Sequence, residues 1–439
     1  MQALNLKWLR WGLVLTIVTC LTAVQLPTTP AAVAQAVPPK VGIACTTGTS
    51  PSPTFTLTTK TGYINLPDGN TAFMWGYAPG SGEFQHPGPV LCVNQGDTVT
   101  VILNNTLGED VSIAFPGQEG VLANGAPAQP QFAGATLTSL TNVAPANGGS
   151  VTYSFVANNP GTFLYESGTN PEKQVHMGLF GALIVRPTLG ATFANNRPDS
   201  QFTPGEEFMV LLSEIDPIQH QAGRVGADVQ HEQLPPTLLA DQRARFPDSI
   251  ADNYAEFLPA QPYGALARIH PFNPNPAAGL AYHPYPGLAR YLNVGSEDFP
   301  FHPHGNNGSV IARDGHPLQS VSGQDLSFEK FSLNVGPGQT WDVLFKWYDA
   351  EQYDSTANPV PVTVPEVAAQ SFGPFYSGSP YLGQLGTLPP GAQTNNQCGE
   401  YYIIAHNHAL FQITSWGVNM TGPITYMRVD PPLSNNCPQ

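Results

Sequence analysis

The stretch TGYINLPDGNTAFMWGYA, residues 61–78, sets two runs of β-branched and aromatic residues on either side of Pro-Asp-Gly. Such residues fit a pleated, half-buried strand and the central triplet supplies a tight reversal, so the segment reads as a hairpin. The pattern recurs along the chain. VLCVNQGDTVTVILNNTL (90–107) and GSVTYSFVANNPGTFLYESG (149–168) read as further hairpin-like pairs, and GLFGALIVRPT closes the unit. After the polar link GATFANNRPDSQFTPGEE (190–207), FMVLLSEID opens a second series that runs through RYLNVGSEDFPFHPHG, SVIARDGHPL, FSLNVGPGQTWDVLFKW and GEYYIIAHNHALFQITSWG. Charged residues are only 11% while Gly numbers 43 and Pro 45, a balance that favours many turns over long solvated helices. An all-β protein is expected.

Within that frame two histidine pairs stand out. In YYIIAHNHALFQ the strand period of 2 puts His406 and His408 on one face, and FPFHPHG repeats the spacing with His302 and His304 around Pro303. A lone His-x-His beside a strand is ordinarily a pair of polar residues. Two such pairs among only 11 histidines point instead to convergence on one metal ion, because neutral imidazole is the commonest protein metal ligand.

The first 36 residues read as a secretory signal peptide: Lys7 and Arg10, an apolar stretch from Trp11 to Val24, then Ala32-Val33-Ala34 or Ala34-Gln35-Ala36 for cleavage. Cys20 falls in its apolar core and is discarded with it. No other stretch approaches the roughly 20 apolar residues of a spanning helix, so a secreted or periplasmic protein without a membrane span is expected. Cys45, Cys92, Cys398 and Cys437 remain, an even number that suits two disulfides in an exported chain. Three connectivities are open, of which pairing within each domain (Cys45 with Cys92, Cys398 with Cys437) is the simplest. A net charge of -15 with no Lys/Arg run excludes nucleic acid and anionic lipid as partners, since both need a basic face.

GTFLYESGTNPEKQVHMGLFGALIVRP, FPFHPHGNNGSVIARDG, PGQTWDVLF and HNHALFQ, in that order, resemble the multicopper oxidase family, which is built from cupredoxin domains. The resemblance spans most of residues 55–430. It implies two Greek-key β-sandwich or barrel domains, residues 37–189 and 205–439. The second would carry a loop-rich insertion at about 218–289, with one short helix around PPTLLADQRARF.

The family's copper ligands are carried over only in part. Its first His-x-His falls on Ala114 and Pro116, its second on Glu166 and Gly168. Its His-x-x-His-x-His falls on Phe299, His302 and His304, and its His-Cys-His-x-x-x-His on His406, Asn407, His408 and Gln412. A blue-copper site needs a cysteine thiolate held by two histidines, and here all three are replaced. Of the eight trinuclear-cluster histidines four positions remain, enough for one ion.

The resemblance therefore implies one metal ion between the domains, held by His302, His304, His406 and His408 with Glu166 facing it. Copper is the first choice, with zinc next and the carboxylate admitting iron or manganese. A mononuclear metal-dependent oxidoreductase, with Glu166 as ligand or general base, and a metal-free structural protein are the alternatives to a copper-binding one. His176 is expected to be structural; His86, His220, His231, His270, His283 and His316 are assigned no role.

Overall fold

The computed structural model describes residues 40–65, 71–215, 220, 224, 247–251, 265–266, 268–275, 282–348, 401–413 and 423–430. The leader, the Pro-Asp-Gly turn, the expected helix near residue 240, and Cys398 and Cys437 lie outside them. Among the described residues nearly all regular structure is strand. Helix is limited to single turns such as Pro171–Gln174 and Leu410–Ile413.

Seven strands build the first domain: β1 (Thr54–Asn65), β2 (Thr71–Pro79), β3 (Leu91–Asn94), β4 (Thr98–Asn104), β5 (Ser150–Val156), β6 (Gly161–Glu166) and β7 (Phe180–Arg186). They form two sheets, β2-β1-β4-β5 extended by Leu122–Ala123 and Ala126–Pro127, and β6-β7-β3 extended by Thr46–Thr47. The hairpin expected at 61–78 is present, with β1 antiparallel to β2 from Leu57↔Pro79 to Asn65↔Thr71.

The other two expected hairpins are not hairpins. β3 and β4 lie in different sheets, and so do β5 and β6. The short links between them step across the sandwich instead of folding back. Asp97 Oδ2 fixes the first link by accepting from the Asn94 amide at 2.8 Å and the Ser50 hydroxyl at 3.0 Å. β1 therefore runs parallel to β4, and β3 parallel to β7, as sheet-crossing connections require. Between the sheets, alternate residues of each strand pack inward, among them Leu57, Tyr77, Val101, Tyr153, Phe163 and Val185. Cys45 is disulfide-bonded to Cys92, the within-domain pairing.

The second domain repeats the plan with β8 (Glu207–Glu214), β9 (Gly287–Asn293), β10 (Phe299–Pro303), β11 (Gly308–Arg313), β12 (Leu333–Val335), β13 (Thr340–Phe345), β14 (Tyr401–Asn407) and β15 (Ile424–Val429). One sheet runs β8-β9-β13-β11, the other β15-β14-β10-β12. Three parts of the expected insertion belong to these sheets: Pro247–Ala251 pairs antiparallel with β8, Arg268–Ile269 pairs in parallel with β15, and residues 287–289 begin β9. Phe208, Tyr291, Phe301, Val343, Ile403 and Met427 are among the side chains filling this core.

A third apolar layer joins the domains. Along β7, Leu183 and Val185 point into the first core while Ala182 and Ile184 point out, against Met209 and Leu211 of β8 and Leu292 of β9. Both strands are thus buried on both faces, which is why FGALIVR and FMVLL are continuous apolar runs with no polar alternation. The domains also approach closely at Gly315 (φ +73°), where a Cβ would come within 2.1 Å of the Phe163 ring.

Beside this layer lies a buried ion network. Arg290, fully buried on β9, donates to Glu207 Oε1 (2.6 Å), to Asp342 Oδ1 (3.2 Å) and to the Thr162 hydroxyl of the first domain (2.7 Å). Arg186 grips Glu207 through both terminal nitrogens, at 2.6 and 2.7 Å.

Candidate metal centre

β10 and β14 are neighbouring antiparallel strands, and His302 and His406 are register partners across them. Phe299, Phe301, Ile403 and Ala405 take the inward face of this pair and are buried, so period 2 turns the histidines to the opposite face. The ladder continues one step past each strand end. His304 N–H donates to Ile404 O at 2.9 Å and His408 N–H to Pro300 O at 2.7 Å, which keeps the second histidine of each pair in register with the first. FPFHP is itself a strand.

Four imidazoles consequently form one cluster. Ring centroids are 4.7 Å apart for His302 and His304, 5.5 Å for His302 and His406, 5.0 Å for His304 and His406, and 5.2 Å for His302 and His408. His302, His304 and His406 offer nitrogens within 4.8 Å of one another. His408 stacks on His406 at 5.7 Å, outside that tightest group. His304 and His408 are exposed, and His302 and His406 half-buried.

The hydrogen bonds decide which nitrogens point inward. His302 Nδ1 lies 2.5 Å from Phe331 O and His406 Nδ1 lies 2.8 Å from Asn407 O, so each Nδ1–H donates to a carbonyl and each Nε2 keeps its lone pair. His304 Nε2 sits 3.0 Å from His406 Nε2 and must supply the proton between them. Burial foremost, then the neighbouring imidazoles, lowers the pKa of His304; burial also lowers that of His406, opposed by its bond to Asn407 O. Neutral rings with convergent Nε2 atoms fit copper or zinc, either of which would displace the proton between His304 and His406.

The positions aligned with the family's blue-copper ligands are filled differently. Phe299 is fully buried in the core, and Asn407 Nδ2 donates to Gln412 Oε1. Gln412 Nε2 in turn donates to Asp298 O at 3.1 Å, while Asn407 Oδ1 is buried without a hydrogen-bond partner among the described residues. This is a buried amide pair with no thiolate.

In the first domain Ala114 and Glu166 are backbone-bridged, so the two aligned motifs do lie side by side. Around Gly168 a set of hydroxyls takes the space: Thr169 Oγ1 donates to Ser112 Oγ or Ser139 Oγ, each at 2.9 Å, and the Gly168 amide donates to Ser112 Oγ at 3.1 Å. Burial raises the pKa of Glu166. Glu166 is not in the group of ligand atoms that His302, His304 and His406 form. His176, expected to be structural, bonds Ser296 Oγ through Nε2 at 3.1 Å.

A second cluster escaped the sequence reading. Glu206, His270 and His283, the two histidines having been assigned no role, offer ligand atoms within 4.8 Å of one another. A shared local signal exists: both histidines open a His-Pro-aromatic motif, IHPFNP and YHPYPG.

Comparisons with known proteins agree with this architecture. A multicopper oxidase family model matches residues 58–189. The L-ascorbate oxidase of Cucurbita maxima is 32% identical over 174 residues, covering 39% of this chain and 27% of that protein. That of Cucumis sativus is 30% identical over 196 residues, covering 44% and 30%. The chain thus spans less than a third of the length of these relatives. Among solved structures, the multicopper oxidase mgLAC superposes with a TM-score of 0.52 at 21% identity, and the blue copper oxidase of Nitrosomonas europaea with 0.51 at 17%, each match covering 86% of both chains. Such identities speak for the cupredoxin fold alone. The first domain thus carries the similarity to the multicopper oxidase family, in residues 58–189, and the chain shares the fold of the solved oxidases.

Proposed function

We propose that this is an exported copper-binding protein that holds a single ion on His302, His304, His406 and His408, in place of the four-copper chemistry of an oxidase. The observation that carries the reading is the approach of His304 Nε2 to His406 Nε2, 3.0 Å, beside the Nε2 of His302. Lone pairs gathered so closely are stabilised by a proton or a cation between them. Copper, when bound, would supply a Lewis-acidic and redox-active centre. The chain's own part is to fix the rings: Phe331 O and Asn407 O hold two tautomers, and the β10–β14 ladder holds the spacing. Two of the four imidazoles are exposed, which suits an ion that is taken up and given away. Glu166 enters as the carboxylate that the family alignment sets opposite the cluster.

The buried Asn407–Gln412 pair supports the absence of an electron-entry copper, and Ala114, Pro116 and Gly168 contribute no side-chain ligand. The test is elemental analysis of protein purified from its native compartment, followed by copper titration of the stripped protein. One copper held by this cluster, lost in His304→Ala, is the expected result. Three or four coppers with turnover of ascorbate or phenols would replace this reading with an oxidase, and no metal at all with a structural protein.

A further inference from the structure

Glu206 immediately precedes β8, His270 follows the short strand Arg268–Ile269, and His283 pairs with the segment after His270. Backbone bonds hold all three places: Leu288 N–H donates to Glu206 O (2.8 Å), His283 N–H to Pro271 O (3.0 Å) and Asn273 N–H to His283 O (3.0 Å). The side chains meet on one carboxylate. Glu206 Oε1 accepts from the His270 amide at 2.7 Å and lies 2.8 Å from His270 Nδ1 and 2.8 Å from His283 Nδ1. The two imidazoles stack with centroids 4.1 Å apart.

Hydrogen bonding does not complete this cluster. His283 Nδ1, although close to Oε1, makes no hydrogen bond there, and among the described residues neither it nor Glu206 Oε2, both buried, has a hydrogen-bond partner. The Glu206 side chain is only 4% exposed. A buried carboxylate oxygen and a buried ring nitrogen, both orphaned and both within the same 4.8 Å group, are groups that proteins ordinarily satisfy. Two imidazoles and a carboxylate are a recurrent donor set for zinc and for other divalent first-row metals. The imidazoles keep 23% and 29% of their surface in solvent, so a fourth position facing water stays open.

We infer that Glu206, His270 and His283 form a second divalent transition-metal site, separate from the β10–β14 cluster. The cation takes both Nδ1 atoms and the carboxylate, while the His270 amide stays on Oε1 as an outer hydrogen bond that orients it.

The test uses His304→Ala/His406→Ala protein, which removes half of the other histidine cluster, stripped with chelator and titrated with cobalt(II) and zinc(II). One equivalent is expected, with a visible cobalt spectrum of low coordination number and a rise in thermal midpoint on zinc addition. His283→Asn keeps a polar side chain beside Glu206 but removes the imidazole ligand, and should abolish all three responses. X-ray absorption of the zinc-loaded double variant should show two imidazoles with oxygen completing the sphere. Should the double variant not fold, the parent serves, with His283→Asn lowering its zinc stoichiometry by one equivalent. Unchanged binding in His283→Asn, no bound equivalent in the double variant, or a zinc sphere without imidazole would each overturn the inference.

Discussion

His302 and His406 face each other across β10 and β14 as register partners, and the rings of His304 and His408 lie one step beyond, on opposite sides of the pair. Because each ring sits on its own strand position, loss of one leaves the others in place. His406→Ala should therefore lower copper occupancy sharply while circular dichroism stays unchanged. Gln412→Ala should act the other way. It leaves Asn407 without its acceptor, costing about 1–3 kcal/mol of stability with little change in occupancy. Copper titration and urea unfolding of both variants check the pair of outcomes. Equal copper affinity in His406→Ala and parent would mark the histidines as packing residues.

Copper-loaded protein should be nearly colourless. The intense visible band of blue-copper proteins needs a thiolate ligand, and the aligned position is Asn407, fully buried and bonded to Gln412. Nitrogen and oxygen ligands give only weak absorption. A strong blue colour in protein whose Cys45–Cys92 disulfide is intact would refute the single-site reading.

How far the sequence foretold these features depended on the range of the signal. The period of 2 made the shared face of His406 and His408 legible, whereas the burial of β7 and β8 on both faces emerges only from the packing of the domains. Strand pairing was not legible where a short link crosses the sandwich. Asn94 to Asp97 looks like a hairpin turn, and only the inward faces of β3 and β4, satisfied in different sheets, decide otherwise. The Glu206–His270–His283 cluster was hidden for a related reason. Its members are separated in sequence by 64 and 77 positions, and tertiary structure alone brings them together.

Glu214, at the end of β8, predicts a pH dependence. Burial foremost pushes its carboxyl up from 4.5 to about 7, although the amides of Ser296 and Glu297 donate to it and pull the other way. The native state therefore binds a proton that the unfolded chain releases. This contribution is fully present below about pH 4.5 and is lost as pH rises through 7, an effect of roughly 2–3 kcal/mol. Glu214→Gln, which cannot ionise, should be more stable relative to the parent at pH 8 than at pH 5. Urea midpoints at the two pH values measure this, and an identical difference at both would contradict it.

Arg290 carries the interdomain ion network, and its removal should be among the costliest single changes. Burial alone would discharge Glu207, yet Arg290 and Arg186 together hold its carboxyl below the usual range. Asp342, equally buried, has Arg290 and the Thr162 hydroxyl as partners, and burial raises its pKa despite them. Arg290→Met fills the volume but strands the Asp342 charge, while Glu207 keeps the bidentate grip of Arg186. Breaking a buried pair in this way costs about 3–5 kcal/mol, more than the pair's own net worth, because the partner charge is left uncompensated. Neutralising the stranded group should therefore recover part of the loss. In a double-mutant cycle, Arg290→Met/Asp342→Asn should be less destabilised than the sum of its single variants by more than about 0.5 kcal/mol, the usual limit of additivity. Arg186→Met should combine with Asp342→Asn almost additively, since the described contacts link Arg186 to Glu207 and not to Asp342. Additive behaviour in the Arg290 cycle would mean that the arginine acts through packing between the domains and not through its charge.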